Sequence, residues 1–281
     1  MAFLVDCQAR NLSPNTIRIY RANLLTFQSW LGVADPASVT AEHVRRFLVY
    51  LQESRNAGGL HQSYRVLRTF FRWLLAEGII ERNPIARVNA PRLSVQPLDP
   101  VPLSDLKKML SVCERRTFRG DRDTAVLLTL LDTGCRASEF VSLDVCDVNP
   151  GTGAVIVRHA KGGKFRTAFI GSRSKRELMR YLRHRGFEQG PLWTNASGRR
   201  LAHAGLRQVL RRRAIEAGVA VPCIHSFRRA FALLSLRQGM DIYSLQKLMG
   251  HSDLSVLQRY LQQTTADLQA AHAKSGPVDH L

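Results

Sequence analysis

Four prolines within residues 89–102 set the first limit on what this chain can fold into. Pro91, Pro97, Pro100 and Pro102 remove backbone donors and fix φ, so neither a helix nor a central strand can run through the segment. An extended, semi-rigid connector is expected there, with a separate body on each side. The chain has 281 residues, enough for two bodies that each bury a core. The expected division is a first domain at 1–88, a linker at 89–102 and a second domain at 103–281.

The first body reads as helical. Ser13 and Pro14 supply an N-cap and a first-turn proline, and Ile17, Tyr20, Leu24, Phe27 and Leu31 then recur along one helix face. Thr40 opens a second helix with Val44, Phe47, Leu48 and Leu51 as its stripe. A third, over about 60–76, carries Tyr64, Leu67, Phe70, Phe71 and Leu74. Arg65, Arg68 and Arg72 fall near its opposite face, either to meet phosphates or as a solvated basic surface. The second body reads as helices with one small antiparallel sheet. Ser104 starts a helix, and another covers 123–133 and stops at Gly134. Strands are expected at 154–157 and 165–170, joined around Gly162-Gly163. Helices follow near 175–184, 204–217, 225–238 and 242–249, and a shorter one is expected to carry Tyr260.

The charge balance narrows the partners. Forty-one basic side chains stand against 22 acidic ones, giving +19 and a pI near 10.8. Such a field favours a polyanion, and nucleic acid is the commonest. Arginine supplies 34 of the basic residues and lysine 7, a bias toward the better fork for phosphate oxygens. A genome that prefers Arg codons explains the ratio but not the surplus. Both sides of the linker are basic: residues 1–98 hold 12 basic and 6 acidic side chains, residues 99–281 hold 29 and 16. Five cysteines without a C-x-x-C pair argue against a disulfide framework or zinc ribbon and for a reducing compartment. Cys135, beside Arg136, reads as a structural thiol. No signal peptide is expected at the start, and the longest apolar run, 125–131, is far too short for a bilayer. A cytoplasmic, nucleoid-associated protein without a membrane partner is expected.

The chemistry is concentrated in an ordered set: Thr133-Gly134-Cys135-Arg136-Ala137-Ser138-Glu139, then Lys161, then His225-Ser226-Phe227-Arg228, then Gly250-His251-Ser252, then Tyr260. Phosphodiester cleavage by a side chain needs a nucleophile that forms an ester, cations around the phosphoryl oxygens and an acid for the departing hydroxyl. Tyr260 suits the first role, because a phosphotyrosyl ester keeps the bond energy for rejoining. Arg136 and Arg228 suit the second. Lys161, in the turn between two strands, can protonate the 5′ oxygen. His225, one turn before Arg228, can touch the same oxygens or accept the tyrosyl proton, and His251 is a further donor. There is no Walker loop, no G-x-G-x-x-G, no H-E-x-x-H and no Asp/Glu cluster for Mg²⁺, so no metal and no cofactor are implied.

These segments resemble the three signature boxes of the tyrosine recombinases, or phage-type integrases. The spacings agree, 23 residues from Arg228 to His251 and 9 from His251 to Tyr260. The resemblance implies Arg136, Lys161, His225, Arg228 and His251 as the catalytic set and Tyr260 as nucleophile. Glu139 matches an acidic position that supports the site without touching substrate. The resemblance further implies a helical, SAM-like core-binding domain at 1–88 and a catalytic domain after the linker. The activity implied is site-specific recombination through a 3′-phosphotyrosyl intermediate and a Holliday junction, for integration, excision or resolution. Its partners would be double-stranded DNA with a short inverted-repeat core site and three further copies of the chain, with or without a partner recombinase. Base readout is expected from the helix near 204–217, through Arg207, Arg211, Arg212 and Arg213.

Departures are mild. Arg229 stands where the family usually has His, and an altered packing or an extra DNA contact is expected there. Cys135 replaces a residue more often Leu. No arm-binding domain is expected. The tail after Tyr260 (Leu261, Ala266, Leu268, Ala270, Ala271) reads as an amphipathic helix that docks on a neighbour or packs in cis. The competing readings are a type IB topoisomerase-like relaxer and a non-catalytic DNA-binding regulator.

Overall fold

The computed structural model describes residues 2–32, 35–92, 99–158 and 165–250, together with 269, 272, 273 and 278. It divides into two compact units, Met1–Gln96 and Pro97–Leu281. The first is four helices: α1 (Ala2–Ala9), α2 (Pro14–Leu31), α3 (Ala41–Gln52) and α4 (Ala57–Ala76). Each of the last three begins at a side-chain cap. Ser13, Thr40 and Asn56 accept from the backbone N–H of Thr16, His43 and Gly59, so donors with no partner inside the helix are satisfied. Asn56 also explains why α4 starts three residues before its apolar stripe does. Between α2, α3 and α4, Phe27 meets Phe47 and Phe71 edge-on at centroid distances of 4.8 and 6.1 Å. Burial of each such ring is worth about 1.5–3 kcal/mol. Helix α1 was not foreseen; its last turn is closed at Asn11 (φ +55°) by the Leu12 N–H on Cys7 O, and tertiary contact places Phe3 against Tyr20, Phe70 and Trp73. The chain after α4 stays on this unit: Tyr64 Oη donates to Val88 O at 2.9 Å.

The second unit contains α5 (Leu103–Ser111), α6 (Phe118–Thr133), α7 (Ala137–Ser142), β1 (Ala154–Val157), β2 (Arg166–Phe169), α8 (Ser172–Arg185), α9 (His203–Glu216), α10 (Ile224–Arg237) and α11 (Ile242–Met249). Helix α6 lies at its centre, buried along almost its whole length and packed on α8 and α10. It starts five residues earlier than the sequence suggested, because its first turns carry buried charge where an apolar stripe was sought. Asp121 pairs with His184, and Asp123 accepts from Arg122, Arg212 and Arg213. A carboxylate with no exposure, such as Asp123, survives burial only with partners of this kind. The strands form an antiparallel hairpin in which Ala154 faces Phe169 and Val157 faces Arg166. Val155, Val157 and Ala168 point into a core that also holds Trp193, stacked between Phe140 and Tyr181. The fold is thus mainly α with a small antiparallel sheet. Among the described residues no helix is long and apolar enough to cross a membrane.

Candidate active site

Helix α6 ends at Gly134, whose φ of +55° suits glycine, and a Cβ there would lie 2.4 Å from the Phe231 ring on α10. The tight approach carries the chain into α7, with Arg136 immediately before the helix. Glu139, one turn on, holds it there: the Arg136 backbone N–H donates to Oε2 at 2.9 Å and its Nη1 to Oε1 at 2.7 Å. A second guanidinium closes the pair, as Arg166 Nη2 donates to Oε2 at 2.7 Å. Burial works to raise the Glu139 pKa, yet the Arg166 charge and the hydrogen bonds from Arg136 and Arg166 outweigh it and leave the carboxyl below its usual range. Glu139 is therefore an anion clamped between two arginines, and Arg136 keeps a side chain about one third exposed.

Arg228 lies on α10 with 1% exposure. Its Nη1 donates to Gly134 O and its Nη2 to Met249 O, both at 2.7 Å. It thereby joins the turn before Arg136 to the last residue of α11, two positions before His251. His225 stands in the first turn of α10 and is exposed on one side. The protein packed around the rest of its ring disfavours the charged form, and Arg228, Arg229 and Arg136 disfavour it further, so its pKa is lowered from 6.5. The charges of Arg136 and Arg228 both reach His225, and Cys135 and Ala137, which flank Arg136, line the same groove as His225. Cys135 beside them is buried, and desolvation pushes its thiol up, which suits a structural role.

His225 opens onto a groove of about 740 Å³ between the starts of α9 and α10, lined by His203, Arg207, Gln208, Arg211 and Cys223 among others. Arg207 and Arg211, one turn apart and exposed, suit DNA contact. Arg213 does not: it is 5% exposed, and its guanidinium is engaged by Asp123, Glu216 and Val112 O. The expectation that Arg213 faces DNA is corrected, and the cause is the buried Asp123. Arg212 also bonds Asp123, at 2.5 Å, with its side chain about one quarter exposed. In the first unit Arg65, Arg68 and Arg72 are exposed and share a shallow groove with Arg10 and Trp73. Arg229 is half-buried. Lys161, His251, Tyr260 and the tail expected as a docking helix lie outside the described residues, apart from isolated positions in the tail. Sequence reasoning missed Arg166, although a signal was present: in β2 it is in phase with inward-facing Ala168, where a charge needs a buried partner.

The pattern of the phage integrase family matches residues 101–267, and that of the phage integrase N-terminal SAM-like domain matches residues 1–81. The chain is a tyrosine recombinase of the phage integrase family. It is 33% identical to tyrosine recombinase XerC of Oceanobacillus iheyensis over 95% of its length and 92% of the relative's. With tyrosine recombinase XerD of Listeria monocytogenes it shares 30% identity, covering 95% and 94% of the two chains. Its fold matches a crystal structure of a lambda integrase(75-356) dimer bound to a COC′ core site, with a TM-score of 0.77, 18% identity and coverage of 91% and 94%. The enzyme is a site-specific recombinase with a SAM-like domain followed by a catalytic domain.

Proposed function

We propose that this recombinase cleaves duplex DNA at a short inverted-repeat core site with Tyr260 as nucleophile, forms a 3′-phosphotyrosyl link, and exchanges strands through a Holliday junction within a tetramer on DNA. The observation that carries this reading is the convergence of Arg136, His225 and Arg228 at the N-terminal ends of α7 and α10. The Tyr260 oxygen attacks phosphorus, the P–O5′ bond breaks, and Lys161 gives its proton to the departing 5′ oxygen. The lowered pKa of His225 leaves it neutral, fit to accept the tyrosyl proton, while guanidinium groups hold the phosphoryl oxygens. Arg228 is closed to solvent in this conformation, so its phosphate contact belongs to a rearranged, DNA-bound state. The lambda integrase structure is a dimer on a core site, which supports the same kind of DNA partner here. The domains act as 1–88 for core binding, 89–102 as linker and 103–281 for catalysis, in the cytoplasm on the nucleoid.

The test is covalent capture: cells are lysed in denaturant and the DNA attached to the tagged protein is sequenced, with Tyr260→Phe as control. Enrichment of one short, roughly palindromic sequence supports the reading. Scattered Tyr260-dependent attachment would favour the relaxer, and no attachment would overturn a nucleophilic role.

Two further outcomes are expected on the recovered site. Lys161→Ala cleaves slowly, by about 10²–10⁴-fold, and recovers on a duplex with a 5′-bridging sulfur, a leaving group that needs little acid help. Failure of that rescue would move the acid elsewhere. For His225 the sign follows from its lowered pKa: in the DNA-free protein the neutral form persists below pH 6.5, so the acid limb of the cleavage rate at subsaturating DNA, which reports the free enzyme, falls below pH 6.5. An acid limb at or above that pH would remove His225 as the proton acceptor.

A further inference from the structure

Three segments lead directly to residues expected at the phosphate, and one side chain belongs to the first and touches the other two. Arg166 is the first residue of β2 and faces Val157, so it stands at the mouth of the connection that carries Lys161. Its Nη2 donates to Glu139 Oε2 at 2.7 Å, and Glu139 Oε1 accepts from Arg136 Nη1 at 2.7 Å. Its Nη1 donates to Leu248 O, near the end of α11. The last carbonyls of a helix lack partners within it and carry the negative end of its dipole, so a guanidinium is a fitting cap. Gly250 shows how closely the two are fitted: its φ is +65°, and a Cβ there would lie 2.7 Å from Arg166 Cδ. The chain passes over the arginine stem only as glycine, one residue before His251.

We propose that Arg166 is a positioning residue, which through one guanidinium fixes both Arg136, by way of Glu139, and the end of α11 that leads into His251. This rests on the phosphotyrosyl reading above. A planar fork serves two acceptors at once, a carboxylate on one side and a helix carbonyl on the other; a lysine nitrogen in the same place has no such span. The side chain is 6% exposed, and its nitrogens are directed at Glu139, Leu248 O and the Cys135 sulfur, so the effect is assigned to these partners. The rival account is a core strut whose loss lowers stability and nothing else.

The two are separated with the full-length protein and, as probe, a nicked suicide duplex bearing the sequence recovered by Tyr260-dependent capture. Arg166→Gln is expected to slow single-turnover adduct formation at saturating DNA by about 100-fold, the usual cost of displacing a catalytic group by about 1 Å. DNA affinity should stay within about threefold, since phosphate contacts made elsewhere dominate it. A 5′-bridging sulfur should not restore the rate, because the phosphate-binding side of the site is lost and not the acid. Recovery with sulfur would assign Arg166 to Lys161 instead and overturn the proposal. Combined with Glu139→Gln, the losses should be less than multiplicative, because the arm to Arg136 is shared while the arm to Leu248 O belongs to Arg166 alone; fully multiplicative losses would overturn it. Arg166→Lys retains the charge and should remain at least about tenfold slow, whereas full activity would show that charge alone suffices and sink the idea. Where Arg166→Gln fails to fold, Arg166→Lys and its cycle with Glu139→Gln decide. Wild-type protein that forms no adduct would end the nucleophile reading and this inference with it. Wild-type protein that attaches, matched in rate by Arg166→Gln, would end this inference alone.

Discussion

Replacing Tyr260 by Phe is expected to leave a protein that binds DNA and attaches to none of it. The substitution removes one oxygen and keeps the ring, so packing is little changed. That oxygen is the atom that forms the ester, and without it no phosphotyrosyl bond can be made. Adduct formation should fall at least about a thousandfold, the scale on which loss of a nucleophile removes turnover. Affinity should stay within about threefold of wild type, because phosphate contacts from arginines supply most of it. Of the other five tyrosines, Tyr20, Tyr50 and Tyr64 belong to the first unit, apart from the residues of the candidate site. Tyr64 and Tyr181 are buried, with hydroxyls bonded to Val88 O and to Thr194. Tyr243 is 65% exposed, but it lies at the opposite end of α11 from Met249, where Arg228 is anchored. At 1.5 Å per residue that separation is about 9 Å along the axis. A denaturant-resistant adduct in the Phe variant would place the nucleophile elsewhere, with Tyr243 the first residue to test.

What the sequence reveals of this molecule follows from where its physics is local. Helices α2, α3 and α11 are announced by a cap, a stripe and a stop within a few residues, and α11 occupies the predicted positions, Ile242–Met249. Helix α6 is announced only in part. Its apolar half is visible, but nothing local announces the partners that let its acidic groups be buried, His184 for Asp121 and Arg122, Arg212 and Arg213 for Asp123. The same network misled the reading of α9, where a run of arginines looks like a DNA-facing surface and Arg213 is in fact a buried partner of Asp123. Helix α1 packs on Phe70 and Trp73 of α4, far along the chain from it. The candidate site divides in the same way. Arg136, Glu139, His225 and Arg228 belong to short motifs with characteristic spacing, so they could be named from the sequence. Arg166 is joined to them only by folding: its partners, Glu139 and Leu248, are 27 and 82 residues away.

Arg228→Ala should damage stability and cleavage together, and the reason is the double use of one guanidinium. Its two terminal nitrogens donate to Gly134 O and Met249 O, so the Ala variant leaves two carbonyls near the site without donors. Each buried acceptor left unpaired costs about 1–3 kcal/mol. For a unit of this size each kcal/mol lowers the melting temperature by about 2–4 °C, so a drop of at least several degrees is expected in the DNA-free protein. Cleavage should fall by about 10²–10³-fold or more, the loss seen when one preorganised donor to a developing charge is removed. Arg228→Lys separates the two effects. A single ammonium at the end of a flexible stem cannot take both bonding directions of the fork, so it should recover part of the stability and little of the rate. Thermal unfolding without DNA and adduct formation with it are the two readings. An Ala variant that melts like wild type would mean that the carbonyl bonds are not made in solution. One that melts low but cleaves at the wild-type rate would leave Arg228 as a brace between α6 and α11, and the phosphate would have to be held by Arg136 and groups not yet assigned.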